Sequence, residues 1–139
     1  MSVLMGFGLI FWGLEMIRFG TNGFSEIETF TLLLQTLGDN PALTILVVSI
    51  LTAIVHSSAV TIGLAMALAG QGLISLEDSV YWIFGANIGT TGIALIASIG
   101  ANSVGRQVAW AHCFYKVAGV LLAFPFASEL AEFLTSDSA

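Results

Sequence analysis

Residues Ala42 to Ala69 read ALTILVVSILTAIVHSSAVTIGLAMALA, two apolar runs on either side of the polar cluster His56-Ser57-Ser58. The first run, Ala42 to Val55, has 14 residues, whereas a helix needs about 20 to cross the hydrocarbon core of a membrane. The second, Ala59 to Ala69, is shorter still and stops at Gly70-Gln71-Gly72. Irregular backbone is tolerated at membrane depth only where it is buried in protein or lines a water-filled cavity. Two half-length helices around a polar break therefore read as a broken helical hairpin, or a discontinuous helix, lining a cavity.

The whole chain fits a membrane setting. Of its 139 residues 57% are hydrophobic and 9% charged, with a mean hydropathy of +0.97, against about 25% charged residues in ordinary soluble domains. The fold class expected is an all-α integral membrane protein. Nine Asp and Glu against three Lys and Arg give a net charge of -6, so no basic patch exists to neutralise nucleic-acid phosphates. An anionic ligand has to be held mainly by other means. The single cysteine, Cys113, lies in an apolar run, cannot form an internal disulfide and reads as a small core residue. Between Arg18 and Arg106 there is no Lys or Arg, which leaves the positive-inside rule almost nothing to count. The first residues lack a basic region before their apolar stretch, so no signal peptide is expected.

Upstream of the break, Val3 to Phe19 is a span carrying Glu15 and Arg18 on one helix face, an expected interfacial ion pair. Asn22 to Gly38 has apolar residues at spacings of three and four, predicting an amphipathic helix at the interface or against the bundle. Gly38-Asp39-Asn40-Pro41 stops it, and Pro41 suits the first turn of the next helix. Downstream, an acidic loop from Ser75 to Ser79 precedes Val80 to Ala86. Asn87, Gly89, Thr90 and Thr91 then interrupt the apolar character, which resumes over Gly92 to Ala101. This second interruption is read as an unwound transmembrane helix. A loop from Asn102 to Gln107 leads to a last span, Val108 to Phe126, containing His112 and Lys116. Residues 1–126 are thus expected as one transmembrane unit, which the resemblance below makes a single repeat, and 127–139 as an acidic soluble tail.

The two breaks differ in chemistry. At a helix start the first N–H groups lack intrahelical partners and carry partial positive charge, so Ser57 and Ser58 beside them can complete an anion cradle without Lys or Arg. The alternative is that they only cap the helix or bond back to carbonyls. In the second break, unwound carbonyls with Asn and Thr oxygens are hard ligands suited to sodium. The alternative there is close helix packing through Gly85 and Gly89, a G-x-x-x-G spacing.

These residues resemble a known family. Thr52 to Thr61, TAIVHSSAVT, is similar to the TAxxQSSSxxT signature of the sodium-dependent phosphate cotransporters. Gly85 to Thr91 reproduces their GANIGTT motif, and Ala111 to Val120 resembles their AHxxFNxxGV segment. The likeness runs over roughly Leu9 to Phe126 and is greatest to the second of the family's repeats. It implies two inverted repeats, each with a broken hairpin, whose Ser-rich motifs meet around phosphate and sodium ions. Ser57, Ser58 and His56 are then the expected phosphate ligands, and Thr61, Asn87, Gly89, Thr90 and Thr91 the expected sodium ligands. Sodium is the coupling ion, with no other cofactor or metal. The sequence departs from the motifs at His56 for Gln, Ala59 for the third Ser and Lys116 for Asn.

An imidazole such as His56 can donate to phosphate, or simply bond a nearby carbonyl. A lysine near the middle of a span costs about 2.5 to 3.5 kcal/mol on the insertion scale, so Lys116 is expected to snorkel to the interface rather than contact a ligand. His112, four residues earlier on that face, is expected to pack or hydrogen-bond rather than bind a metal.

The expected function is secondary active transport of inorganic phosphate with sodium, by alternating access, in a cell membrane such as a bacterial inner membrane. The expected partners are the lipid bilayer and a second repeat, either a homologous half or an antiparallel copy. Two other readings are a non-transporting partner subunit and an intramembrane serine hydrolase using Ser57 or Ser58 with His112. The latter lacks a G-x-S-x-G elbow.

Overall fold

The computed structural model describes residues 2–136, and among them every regular element is helical. The order is α1 (Ser2–Thr21), a 3-10 turn (Phe24–Glu26), α2 (Glu28–Gly38), α3 (Pro41–Val55), α4 (Ser58–Gly70), α5 (Leu76–Ala97), α6 (Ser103–Ala123), a second 3-10 turn (Phe124–Phe126) and α7 (Ala127–Ser136). Three stretches are long and apolar enough to cross a membrane: Ser2–Glu26, Leu76–Ala97 and Ser103–Ser136. Large apolar side chains such as Leu4, Phe19, Leu122 and Tyr115 lie outward on them, as lipid-facing surfaces require.

The Gly38 to Pro41 stop is a sharp corner. The α2 and α3 axes are bent by 119°. Asn40 caps α3 by accepting a hydrogen bond from the Leu43 N–H at 3.2 Å, with Pro41 at the first turn. The Thr44 hydroxyl donates to the Leu37 carbonyl at 2.5 Å, satisfying an oxygen that the end of α2 leaves unpaired. At the other corner Ser75 caps α5 through a capping box with Asp78.

The first break is a hairpin. With 15 and 13 residues, α3 and α4 are only about 22 and 20 Å long, and the chain reverses between them at His56 and Ser57. His56 makes the turn with φ 59°, the left-handed conformation in which helices commonly end, while its N–H still bonds the Thr52 carbonyl at 2.9 Å. A β-carbon built on Gly85 would meet Val48 Cβ at 2.7 Å, one on Gly89 would meet Thr52 Cβ at 2.6 Å, and one on Gly92 would meet Ala53 Cβ at 3.4 Å. Both helices advance together through these contacts, so α3 and α5 are parallel neighbours. The same construction on Gly38 places Asp78 Oδ1 3.3 Å away, so α3 starts level with the first turn of α5. The hairpin tip therefore lies about 22 Å along a helix about 33 Å long. The core around this contact comprises Leu34, Val48, Ala65, Leu68, Ile74 and Trp82.

Two expectations are corrected, the unwound helix and the loop before the last span. The GANIGTT segment is not unwound: α5 runs unbroken from Leu76 to Ala97. Its glycines are used for close approach to α3, and its polar side chains return to the helix's own carbonyls, so nothing forces the backbone open. The segment expected as an acidic tail forms the amphipathic helix α7, which buries Ala127 and Ala131; Ala127 packs with Val80 and Tyr81 of α5. Residues 137–139 of that tail lie outside the described residues. The loop expected over Asn102 to Gln107 is also mostly helix, because Asn102 caps α6 by accepting from the Gly105 N–H at 2.8 Å.

Candidate functional site

The hairpin tip carries the first group of residues. Ser57 is the N-cap of α4, its hydroxyl accepting from the Val60 N–H at 3.4 Å, and Ser57 and Ser58 are both half-buried. The first N–H groups of α4 therefore point toward the two serines, with the positive end of the helix dipole behind them. His56 is exposed, and its Nδ1 lies 2.7 Å from the Ile54 carbonyl, so Nε2 is the ring nitrogen left to face a ligand.

Just inside the tip, the hydroxyls of Thr52 and Thr61 share a hydrogen bond at 3.0 Å. Both residues are almost fully buried, and their oxygens also lie within bonding distance of the Val48 and Ser57 carbonyls, at 2.8 and 3.3 Å. This pair ties the two arms of the hairpin together in apolar surroundings, where an unpaired hydroxyl is costly. Thr52 is also the residue against which Gly89 packs, so the hairpin and the GANIGTT segment meet at one point. Ser49, one turn earlier, donates to the Gly85 carbonyl at 3.0 Å as well as to that of Ile45 at 2.6 Å.

The other expected sodium ligands are divided among faces of α5. Thr90 donates to the Ala86 carbonyl at 2.7 Å, and Thr91, which is buried, donates to that of Ile88 at 2.6 Å and lies 3.6 Å from the Cys113 sulfur of α6. Asn87 turns toward α6. Its amide nitrogen donates to the Ile83 carbonyl at 3.1 Å, and its Oδ1 accepts from Lys116 Nζ at 2.8 Å. The Lys116 ammonium, expected at the interface, is partnered by an amide oxygen of the neighbouring helix. The structure thus joins Thr61, Gly89 and the serine tip through Thr52, and directs Asn87 elsewhere.

Two participants were not singled out from the sequence, Thr52 as part of the site and Lys116 as the partner of Asn87. Thr52 had a signal available: it and Thr61 are equidistant from the His56-Ser57 turn, and a hairpin brings such residues face to face. Glu15 and Arg18, expected at an interface, line a pocket of about 240 Å³ between α1 and α4 with Gly63 and Met66.

Fold and site together define an all-α membrane protein built around a short helical hairpin packed on a continuous span. A family model described as Na+/Pi-cotransporter matches residues 21–134, and the chain belongs to that family, a family of transporters rather than enzymes. Over 95% of its length it is 34% identical to "Uncharacterized protein YqeW" of Bacillus subtilis, of which it covers 46%. It is 28% identical over 92% of its length to "Putative inorganic phosphate export protein YjbB" of Escherichia coli, covering 24% of that protein. Over 54% of its length it is 37% identical to "Sodium-dependent phosphate transport protein 2A" of Oryctolagus cuniculus, covering 12%. The chain thus spans less than half the length of these relatives. No solved structure matches it.

Proposed function

We propose that this chain supplies one repeat of a secondary transporter that moves inorganic phosphate with sodium across a cell membrane, completed by a second repeat. The observation that carries this reading is the hairpin tip, where Ser57 and Ser58 stand half-buried at the N-terminus of α4, deep along a spanning helix. Hydroxyls and oriented N–H groups there suit an oxyanion and need no nearby arginine. His56 Nε2 adds a donor at the same tip. Alternating access would expose the site between this tip and its counterpart in the second repeat to each side of the membrane in turn.

Sodium is assigned to Thr61 and Gly89 beside the tip, together with Thr90 and Thr91 on the adjoining faces of α5. The threonine hydroxyls among them now bond helix carbonyls, and that of Thr61 also bonds Thr52, so binding an ion there requires α5 to open locally. Asn87 is left out of this set, because Lys116 occupies its oxygen. A second reading concerns direction: the name of the Escherichia coli relative favours phosphate leaving the cell.

The test is phosphate flux through the full-length protein in liposomes, under inward and outward sodium gradients, against potassium controls. Sodium-stimulated flux is expected, and Ser57→Ala should raise the KM for phosphate by about 10-fold, the loss of one hydrogen bond to a charged ligand. Absence of flux in either direction from folded protein overturns transport and leaves a partner subunit. An unchanged KM in Ser57→Ala overturns the placement of phosphate at the tip.

A further inference from the structure

We propose that the Lys116 ammonium is a tethered cation: bound to Asn87 Oδ1, it occupies the position that a free coupling ion would otherwise take between α5 and α6. The Nζ to Oδ1 distance is 2.8 Å, a charge-assisted hydrogen bond. Around it Phe84, Asn87, Tyr115, Gly119 and Val120 line a pocket of about 270 Å³ with no carboxylate among its walls. The acidic residues of α5, Glu77 and Asp78, lie nine or more residues away toward the start of the helix, about 13 Å along its axis. Glu77 there accepts from the Tyr81 hydroxyl at 2.9 Å, and Asp78 accepts from Ser75. The ammonium thus has the features of a bound ion rather than of a salt bridge. It is a half-buried positive charge in an open pocket, held by a neutral oxygen.

The amide nitrogen of Asn87 is bonded to the Ile83 carbonyl, which leaves Oδ1 as the group that faces the cavity. A sodium ion sharing that oxygen would lie within about 5 Å of the ammonium. At an effective dielectric of about 20, repulsion between two unit charges at that separation lowers affinity by roughly two orders of magnitude. While Lys116 is in place, a mobile cation does not bind at Asn87, and any coupling ion binds elsewhere. The role of this cavity rests on the transport reading above, but occupation by the ammonium can be tested without transport.

The experiment compares thermal unfolding of the full-length, detergent-purified protein in sodium chloride and choline chloride. Lys116→Met, nearly the same shape without the charge, should gain a sodium-specific rise in Tm over wild type of about 2 to 4 °C. Lys116→Arg, which keeps the cation, should respond as wild type does. The gain should vanish in the double variant Lys116→Met with Asn87→Leu. An equal sodium response in wild type and in folded Lys116→Met overturns the proposal, as does a gain that survives loss of Asn87. If no variant carries phosphate in liposomes while the sodium response of Lys116→Met appears, the transport reading fails and the tethered cation stands. Should Lys116→Met fail to fold, Lys116→Gln is measured in its place and read by the same criteria.

Discussion

Replacing Gly89 by alanine should separate α3 from α5. The added β-carbon would stand 2.6 Å from Thr52 Cβ and 3.1 Å from the Ser49 carbonyl carbon, and closer still to the Ser49 carbonyl oxygen. Carbon atoms pack at about 3.5 to 4.0 Å, so the helices must part by about 1 Å, and a backbone carbonyl cannot rotate aside as a side chain can. Overpacking of this kind costs about 1 to 3 kcal/mol, and the backbone contact places it at the upper end. Alanine regains about 0.8 to 1.0 kcal/mol of helix propensity over glycine, leaving a net loss of about 2 kcal/mol. Gly92→Ala is the matched control on the same helix: its β-carbon meets Ala53 Cβ at 3.4 Å, ordinary contact, and should gain up to about 1 kcal/mol. Equilibrium unfolding of the two variants in mixed micelles, followed by far-UV circular dichroism, should separate them by about two orders of magnitude in the folding constant. Equal stability would mean that α3 does not lie against α5 at Gly89, and the shared Thr52 contact would fall with it.

Other consequences are open to measurement. A double-mutant cycle on Thr52→Val and Thr61→Val should give a coupling of about 0.6 kcal/mol, the mean for such bonds between membrane helices, and no coupling would dissolve the tie between the hairpin arms. His56→Gly should unfold at a higher temperature than His56→Val, by a difference of about 1 to 2 kcal/mol, because only the former relieves the left-handed backbone; identical melting would place the turn elsewhere. Ser75→Ala should cost about 1 kcal/mol through loss of the α5 cap, read by the same unfolding assay, and an unchanged stability would argue against the capping box.

Much of the architecture was legible in order along the chain. The corner at Gly38 to Pro41, the hairpin turn at His56 and the first span all stand where spacing and turn chemistry put them, since these depend on neighbours within a few residues. The second interruption was not legible. Asn87, Gly89, Thr90 and Thr91 satisfy two descriptions equally well: an unwound segment offering oxygens to an ion, and a packed helix whose hydroxyls bond back one turn. Local pattern cannot separate them, because glycine permits both an open backbone and a close neighbour. The contact with Ser49 and Thr52 chose the second. The helix within the C-terminal segment was not legible for a related reason. Its acidic residues describe one face of α7, and the other face becomes visible only when Val80 and Tyr81 are brought against Ala127.

By itself the sequence determined the solvent, the number of apolar segments and the site of chain reversal, because burial from water and turn geometry are set by composition and short-range order. Only the tertiary structure decided what each polar atom bonds to. A hydroxyl, an amide or an ammonium inside a membrane must find a partner within about 3 Å, and whether that partner is its own helix, as for Thr90, or a side chain of another, as for Thr61 and Lys116, depends on which helices lie side by side.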